Sequence, residues 1–328
     1  MDLILDFINA MIRMTTPIAL GTLACAISER AGVINIGIEG IMAASAVAGG
    51  LGAYFSNSPW VGLVSGMAMG ALLSSLIVIL SIYCNGNQVI IGIGLNLLGP
   101  GLAYLLMSEI WGGRGSSPWL PGFPPVNIPI IKDIPVLSNI VSGYDPTVYI
   151  CIAAVIVMHY MFYHTTWGMR LRASGEDPLV VTTVGINVYK LRTIAVLISG
   201  ALAGLAGVNL ALGSSSLITH GFTANRGFLA YAANRLGQWT PIGAYAASLV
   251  FGGMDALRVR LSGTGIAPQL LQMIPYVAAM LTLVITGKRL RGPAASGAEF
   301  PHPIGVQRPR KKTTLKVRLG KGGMQDVA

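Results

Sequence analysis

Long apolar runs alternate with short polar breaks along the chain, and that alternation predicts its elements. Residues 3–26 are apolar but interrupted by Arg13, Thr15, Thr16 and Pro17, which predicts either an interfacial turn before a span or one irregular span. Residues 33–55, 60–83 and 88–107 follow, each long enough to cross a bilayer core of about 30 Å as a helix. Residues 147–164, 193–213, 240–257 and 270–286 continue the series. Residues 227–238 are too short to span alone and predict a broken, re-entrant or tilted helix. Counting that segment gives about nine crossings with the N-terminus outside, or eight to ten if residues 1–28 fold differently. The expected fold class is all-α, a polytopic integral membrane protein.

Small residues set the packing faces of these helices. Gly62, Gly66 and Gly70 recur every fourth position, and Gly200, Gly204 and Gly207 form a second such face, where neighbouring backbones can approach closely. Polar side chains inside the runs are few. Asn35 and Glu39 are four apart in the second run, which places them on one helix face. A carboxylate in hydrocarbon costs about 2.5–3.5 kcal/mol, so Glu39 is expected to face protein or a watery cavity. The pair either lines a pathway or ties helices together. Gln88 and Asn96, two helical turns apart, pose the same choice, with a bond to a neighbouring helix the better reading.

Charge orients the loops. Residues 108–145 hold six prolines, Trp111, Trp119 and only two basic residues, Arg114 and Lys132, which marks an extracytoplasmic loop without a continuous helix. Residues 167–192 carry Arg170, Arg172, Lys190 and Arg192 and belong inside. Ten Lys/Arg against two acids in residues 288–328 account for +8 of the net +10, leaving +2 for residues 1–287. The expected organisation is a permeation domain over residues 1–287 and a basic cytoplasmic tail over 288–328. Basic residues flanking a last span follow from the positive-inside bias and do not call for nucleic acid. Asp2 and Asp6 stand where a cleaved signal peptide would carry positive charge, so cleavage is not expected.

Composition narrows the function classes. Hydrophobic residues make up 53% and charged residues 10%, far below the roughly 25% of soluble domains. Cys25, Cys84 and Cys151 are scattered, lack a CxxC pair, and read as small buried hydrophobes. No metal spacing, Ser/His/Asp grouping or phosphate loop is present, and Gly287-Lys288 lacks both flanking requirements of that loop. No catalysis and no cofactor are expected.

The inner stretch Gly168–Asn187 contains a marked helix. Asp177 can cap it, Pro178 suits the first helical position, and Gly185 suits the left-handed exit. Val180, Val181 and Val184 give it a partly apolar face, and a capped helix of that kind on an inner loop is a docking knob.

Three motifs carry a family resemblance. Ser28-Glu29-Arg30-Ala31-Gly32-Val33-Ile34-Asn35-Ile36-Gly37-Ile38-Glu39-Gly40 opens the second run, its Glu29-Arg30 pair expected at the membrane boundary with charges joined. The Gly168–Asn187 stretch is the second motif. The third is Gly221-Phe-Thr-Ala-Asn-Arg-Gly-Phe, running on through Gly237-Gln-Trp-Thr-Pro-Ile-Gly-Ala to Phe251-Gly-Gly-Met-Asp-Ala-Leu. Together, over residues 20–287, they resemble the permease subunits of bacterial ABC importers for branched-chain amino acids, simple sugars and nucleosides, in wording closest to the sugar/nucleoside branch. The resemblance implies a type II-like importer fold and a bacterial-type inner membrane location with the C-terminus cytoplasmic. It implies as partners ABC ATPase subunits, a second permease subunit and an extracytoplasmic substrate-binding protein or lipoprotein. Arg172, Gly175, Glu176, Asp177, Pro178 and Gly185 would couple to the ATPase, while Asn35, Glu39, Gln88, Asn96 and Asn234 would line the pathway. Asn234 and Arg235 depart from the small or apolar residues expected there; they either alter the pathway wall or pair with Glu39. The rival reading is a stand-alone ion-coupled transporter or channel working through Glu39, against which stands the lack of a repeated half with paired broken helices.

Overall fold

A computed structural model describes residues 2–112, 115–126, 142–262, 268–286, 292–298, 315–319 and 323–327. The helices are α1 (Asp2–Arg30), α2 (Ile38–Ser56), α3 (Pro59–Ile77), α4 (Gln88–Trp111), α5 (Pro146–His164), α6 (Thr166–Glu176) and α7 (Pro178–Thr183). They continue with α8 (Val188–Val208), α9 (Arg226–Leu236), α10 (Pro241–Leu261) and α11 (Pro268–Thr286). Wide π-helical turns extend α3 through Val78–Tyr83 and α8 through Asn209–Ser215. Among the described residues six helices are long and apolar enough to cross a membrane: Leu5–Arg30, Ile38–Ser56, Pro59–Tyr83, Gln88–Trp111, Pro146–His164 and Val188–Ser215. The described part of the tail is not helical: β1 (Leu315–Leu319) pairs antiparallel with β2 (Gly323–Val327), Leu315 opposite Val327. Pro129, Pro135, Lys132 and Arg114 of the long loop lie outside the described residues.

Residues 2–30 form one continuous helix despite Arg13 and Pro17. The hydroxyls of Thr15 and Thr16 return to the carbonyls of Met11 and Ile12 within the same helix, so their polarity is absorbed locally. Ile18, Leu20, Leu23 and Ile27 are fully buried, and α1 packs on α8, α9 and α10 at the centre of the bundle. The glycine faces meet as expected. A Cβ on Gly70 would collide with the carbonyl of Gly200, and one on Gly204 with the carbonyl of Gly66, so α3 and α8 touch backbone to backbone. Gly207 sits likewise on the Met42 carbonyl of α2. The apolar side chains left outside, such as Ile90 and Leu97 on α4 and Ile156 and Tyr160 on α5, suit a lipid or partner environment rather than water. Cys25 and Cys151 are buried, but Cys84 is exposed beyond the π-turn of α3, which corrects the expectation for that residue.

Candidate functional site

The run expected to be helical from residue 33 starts its helix only at Ile38. Gly32 takes φ +89°, a left-handed conformation that suits glycine, and residues 33–35 belong to no helix or strand. Buried backbone outside a helix needs other partners, and the Val33 N–H finds one in the Ser28 carbonyl at 3.0 Å while more distant groups serve the residues that follow. Two side chains of α4 supply them. The Gln88 Oε1 accepts the Ile34 N–H at 2.7 Å, while Asn96 donates to the Ile36 carbonyl at 3.0 Å and accepts the Gly40 N–H at 2.9 Å. Asn35 therefore precedes α2 and shares no helical face with Glu39. It is fully buried and donates to Ser199 Oγ of α8 at 3.2 Å.

Glu39 reaches the start of α9. Its Oε1 accepts the Asn225 N–H at 3.2 Å and its Oε2 the Gly227 N–H at 2.6 Å. Asn225 offers no side-chain cap of its own, so the carboxylate satisfies N–H groups that a helix start leaves open and meets the positive end of the helix dipole. Gly227 lies against the Glu39 backbone, where a Cβ would stand 2.6 Å from Glu39 Cα. Arg226, between the two donors, turns away to Asp255 at 2.7 Å, and Arg258 contacts the same carboxylate at 2.8 Å.

A cavity of about 660 Å³ opens beside this junction. It is lined by Ile36, Glu39 and Asn225, by Ile93, Asn96, Leu97, Pro100 and Tyr104 of α4, and by residues 219–222. Two of its polar side chains, the buried Glu39 and the half-buried Asn96, hold neighbouring backbone; Thr219, His220, Thr223 and Asn225 are the other polar residues in a lining that is otherwise apolar and aromatic.

The other end of α9 meets Glu29. Asn234 donates to Glu29 Oε2 at 3.3 Å, and the Trp239 indole N–H donates to the same oxygen. The departure at Asn234 thus pairs with Glu29, not Glu39. Arg235 stacks over Tyr231 at 4.8 Å and donates to its hydroxyl at 2.5 Å. Nor are Glu29 and Arg30 joined: Arg30 donates to the carbonyls of Trp239 at 2.9 Å and Gln238 at 3.1 Å.

At the inner loop, Asp177 Oδ1 accepts the N–H groups of Leu179 at 2.9 Å and Val180 at 3.2 Å, Pro178 is the first residue of α7, and Gly185 has φ +81°. Val181 is buried with Val188, while Leu179, Val180 and Val184 are exposed. Behind the knob, Gly175 packs on the Arg30 carbonyl and accepts the Ala295 N–H at 2.8 Å. Glu176 accepts the Ala294 N–H at 3.3 Å, and Arg172 lies over the Tyr163 ring at 4.9 Å.

The family described as branched-chain amino acid transport system / permease component matches residues 7–285. The chain belongs to that family. The permease is 33% identical over 301 residues to a nucleoside ABC transporter permease protein of Lactococcus lactis subsp. cremoris, covering 88% of this chain and 95% of that one. A guanosine ABC transporter permease protein of Bacillus subtilis is 33% identical over 304 residues, with 89% and 95% covered. A Haloferax volcanii chain provisionally named a glucose ABC transporter permease is 32% identical over 300 residues, with 84% and 90% covered. The protein is thus the permease component of an ABC transporter, not itself an enzyme, and the stand-alone ion-coupled carrier is set aside.

Of the five pathway positions expected in the permease, Glu39 and Asn96 line the cavity; Asn35, Gln88 and Asn234 tie buried segments instead. Tyr104, His220 and Phe228, which also line it, escaped sequence reasoning. For Tyr104 the available signal was its spacing from Ile93, Leu97 and Pro100, which puts the four on one helical face. The inner-loop residues divide: Asp177, Pro178 and Gly185 build the knob, while Gly175 and Glu176 hold residues 294–295.

Proposed function

We propose that this permease imports nucleosides as part of an ABC importer with a second permease subunit, two ATPase subunits and an extracytoplasmic substrate-binding protein or lipoprotein in the inner membrane. The carrying observation is that two relatives matched over nearly their whole length are named for a nucleoside and for guanosine. In this reading residues 1–287 are the permease domain, and the non-helical stretch before α9 completes a crossing with it. Together with α10 and α11 this brings the count to nine, with the N-terminus outside and the basic tail over 288–328 cytoplasmic. Residues 108–145 then lie outside and residues 167–192 inside.

The knob at α7 docks in the ATPase, and the exposed Leu179, Val180 and Val184 are the surface it offers. ATP-driven closure of the ATPases moves this loop. The movement passes through Gly175 and Arg30 to the non-helical residues 33–35, and so to the Glu39 junction at the cavity. The test is ATP-dependent uptake by the reconstituted complex, offered guanosine, uridine, ribose, glucose and leucine. Uptake of the nucleosides is expected; uptake of glucose alone would transfer the assignment to sugars, the second reading that the Haloferax volcanii relative favours.

A further inference from the structure

Tyr104 and His220 stand edge to face, ring centroids 5.6 Å apart with an interplanar angle of 61°. Both line the large cavity, and both also line a small hollow bounded by Ser108, Gly115 and Ser116. Met107 lines both as well, so the two rings, with Met107, separate hollow from cavity. His220 is held from behind: its N–H donates to the Gly115 carbonyl at 3.3 Å, and Ser116 bridges to Thr219. Tyr104 is 57% exposed, so its ring reaches into open space rather than into the core.

The chemistry of this wall discriminates between solutes. A hexose carries hydroxyls around its whole ring and has to give up water to all of them. The cavity has few groups to return: Asn96 holds Ile36 and Gly40, Glu39 holds Asn225 and Gly227, and the side-chain hydroxyls in its lining are those of Tyr104, Thr219 and Thr223. A nucleobase presents a flat π-face that stacks on aromatic rings whatever its identity. We propose that Tyr104 and His220 are the specificity-determining pair of the pathway, a stacking partition that admits a solute by its planar heteroaromatic base. The proposal rests on the nucleoside reading above and adds to it the residues that enforce it.

The experiment uses the reconstituted complex with its ATPase and binding protein and measures ATP-driven uptake of guanosine and of uridine. Tyr104→Ala is expected to lower guanosine uptake ten-fold or more and uridine, with the smaller base, less. Tyr104→Phe keeps the ring and is expected to retain uptake. His220→Ala, expected to lower guanosine uptake several-fold, carries the test if Tyr104→Ala does not assemble. Wild-type guanosine uptake in both alanine variants would overturn the pair alone, as would equal losses in Tyr104→Phe and Tyr104→Ala. A wild-type complex that takes up no nucleoside would overturn the nucleoside reading and the pair together.

Discussion

Glu29 and Glu39 come from one motif, and both are buried, yet they grip opposite ends of α9 by different means. Glu39 meets the N-terminal end, where open backbone N–H groups and the positive end of the helix dipole both favour an anion. Glu29 meets the C-terminal end, where the dipole disfavours it. Side chains make up the difference: the Asn234 amide, the Trp239 indole and the nearby Arg235 guanidinium. One carboxylate holds backbone, which no substitution in the partner can replace. The other holds side chains, which can change together. The backbone-held end is therefore the less tolerant of the two.

Glu39→Leu should show this most. It strands the buried Gly227 N–H, at a cost of about 1–3 kcal/mol, and removes the partner of the Asn225 N–H at its more exposed position; it is expected to lower the thermal unfolding temperature of the detergent-purified protein and abolish uptake. Glu39→Gln keeps one acceptor, so the fold should survive while transport falls. The same contrast recurs at α7, whose end is set by backbone geometry and whose start by a side chain. Gly185→Val should strain the left-handed exit by about 1–2 kcal/mol; a Cβ there meets nothing, so the cost is conformational alone. Asp177→Ala should cost about 1 kcal/mol through the lost cap. Substrate-stimulated ATP hydrolysis and complex assembly measure both, and normal coupling in both variants would remove the docking role of α7. The smallest effect belongs to Glu29→Gln, which keeps an acceptor for Asn234 or Trp239 and should cost below about 1 kcal/mol in the same unfolding assay. A larger loss for Glu29→Gln than for Glu39→Gln would break the comparison.

What the sequence made legible was local. Asp177-Pro178 and Gly185 mark the ends of α7 within nine residues, and the glycine spacings of α3 and α8 announce a close seam because the periodicity lies in one helix each. What stayed hidden depends on distant partners. Residues 33–37 continue a mostly apolar run, and nothing nearby reveals that Gln88 will satisfy Ile34 and Asn96 will satisfy Ile36 and Gly40 outside a helix. Likewise Asn234 found Glu29 rather than Glu39, because α9 is placed by contacts some 200 positions apart in the chain.

The short segment Gly292–Ala298 has a consequence for the order of synthesis. Its N–H groups reach Gly175, Glu176 and, through Gly297, the Gly32 carbonyl at 3.3 Å, while its Gly292 lies against the Trp239 ring. A ribosome delivers these residues after the eleven described helices, so a nascent chain halted before residue 292 has those helices but an unbuttressed inner face. The surface proposed to receive the ATPase is finished only when translation has passed residue 298, which would make partner recruitment a late step and leave truncated chains unrecruited.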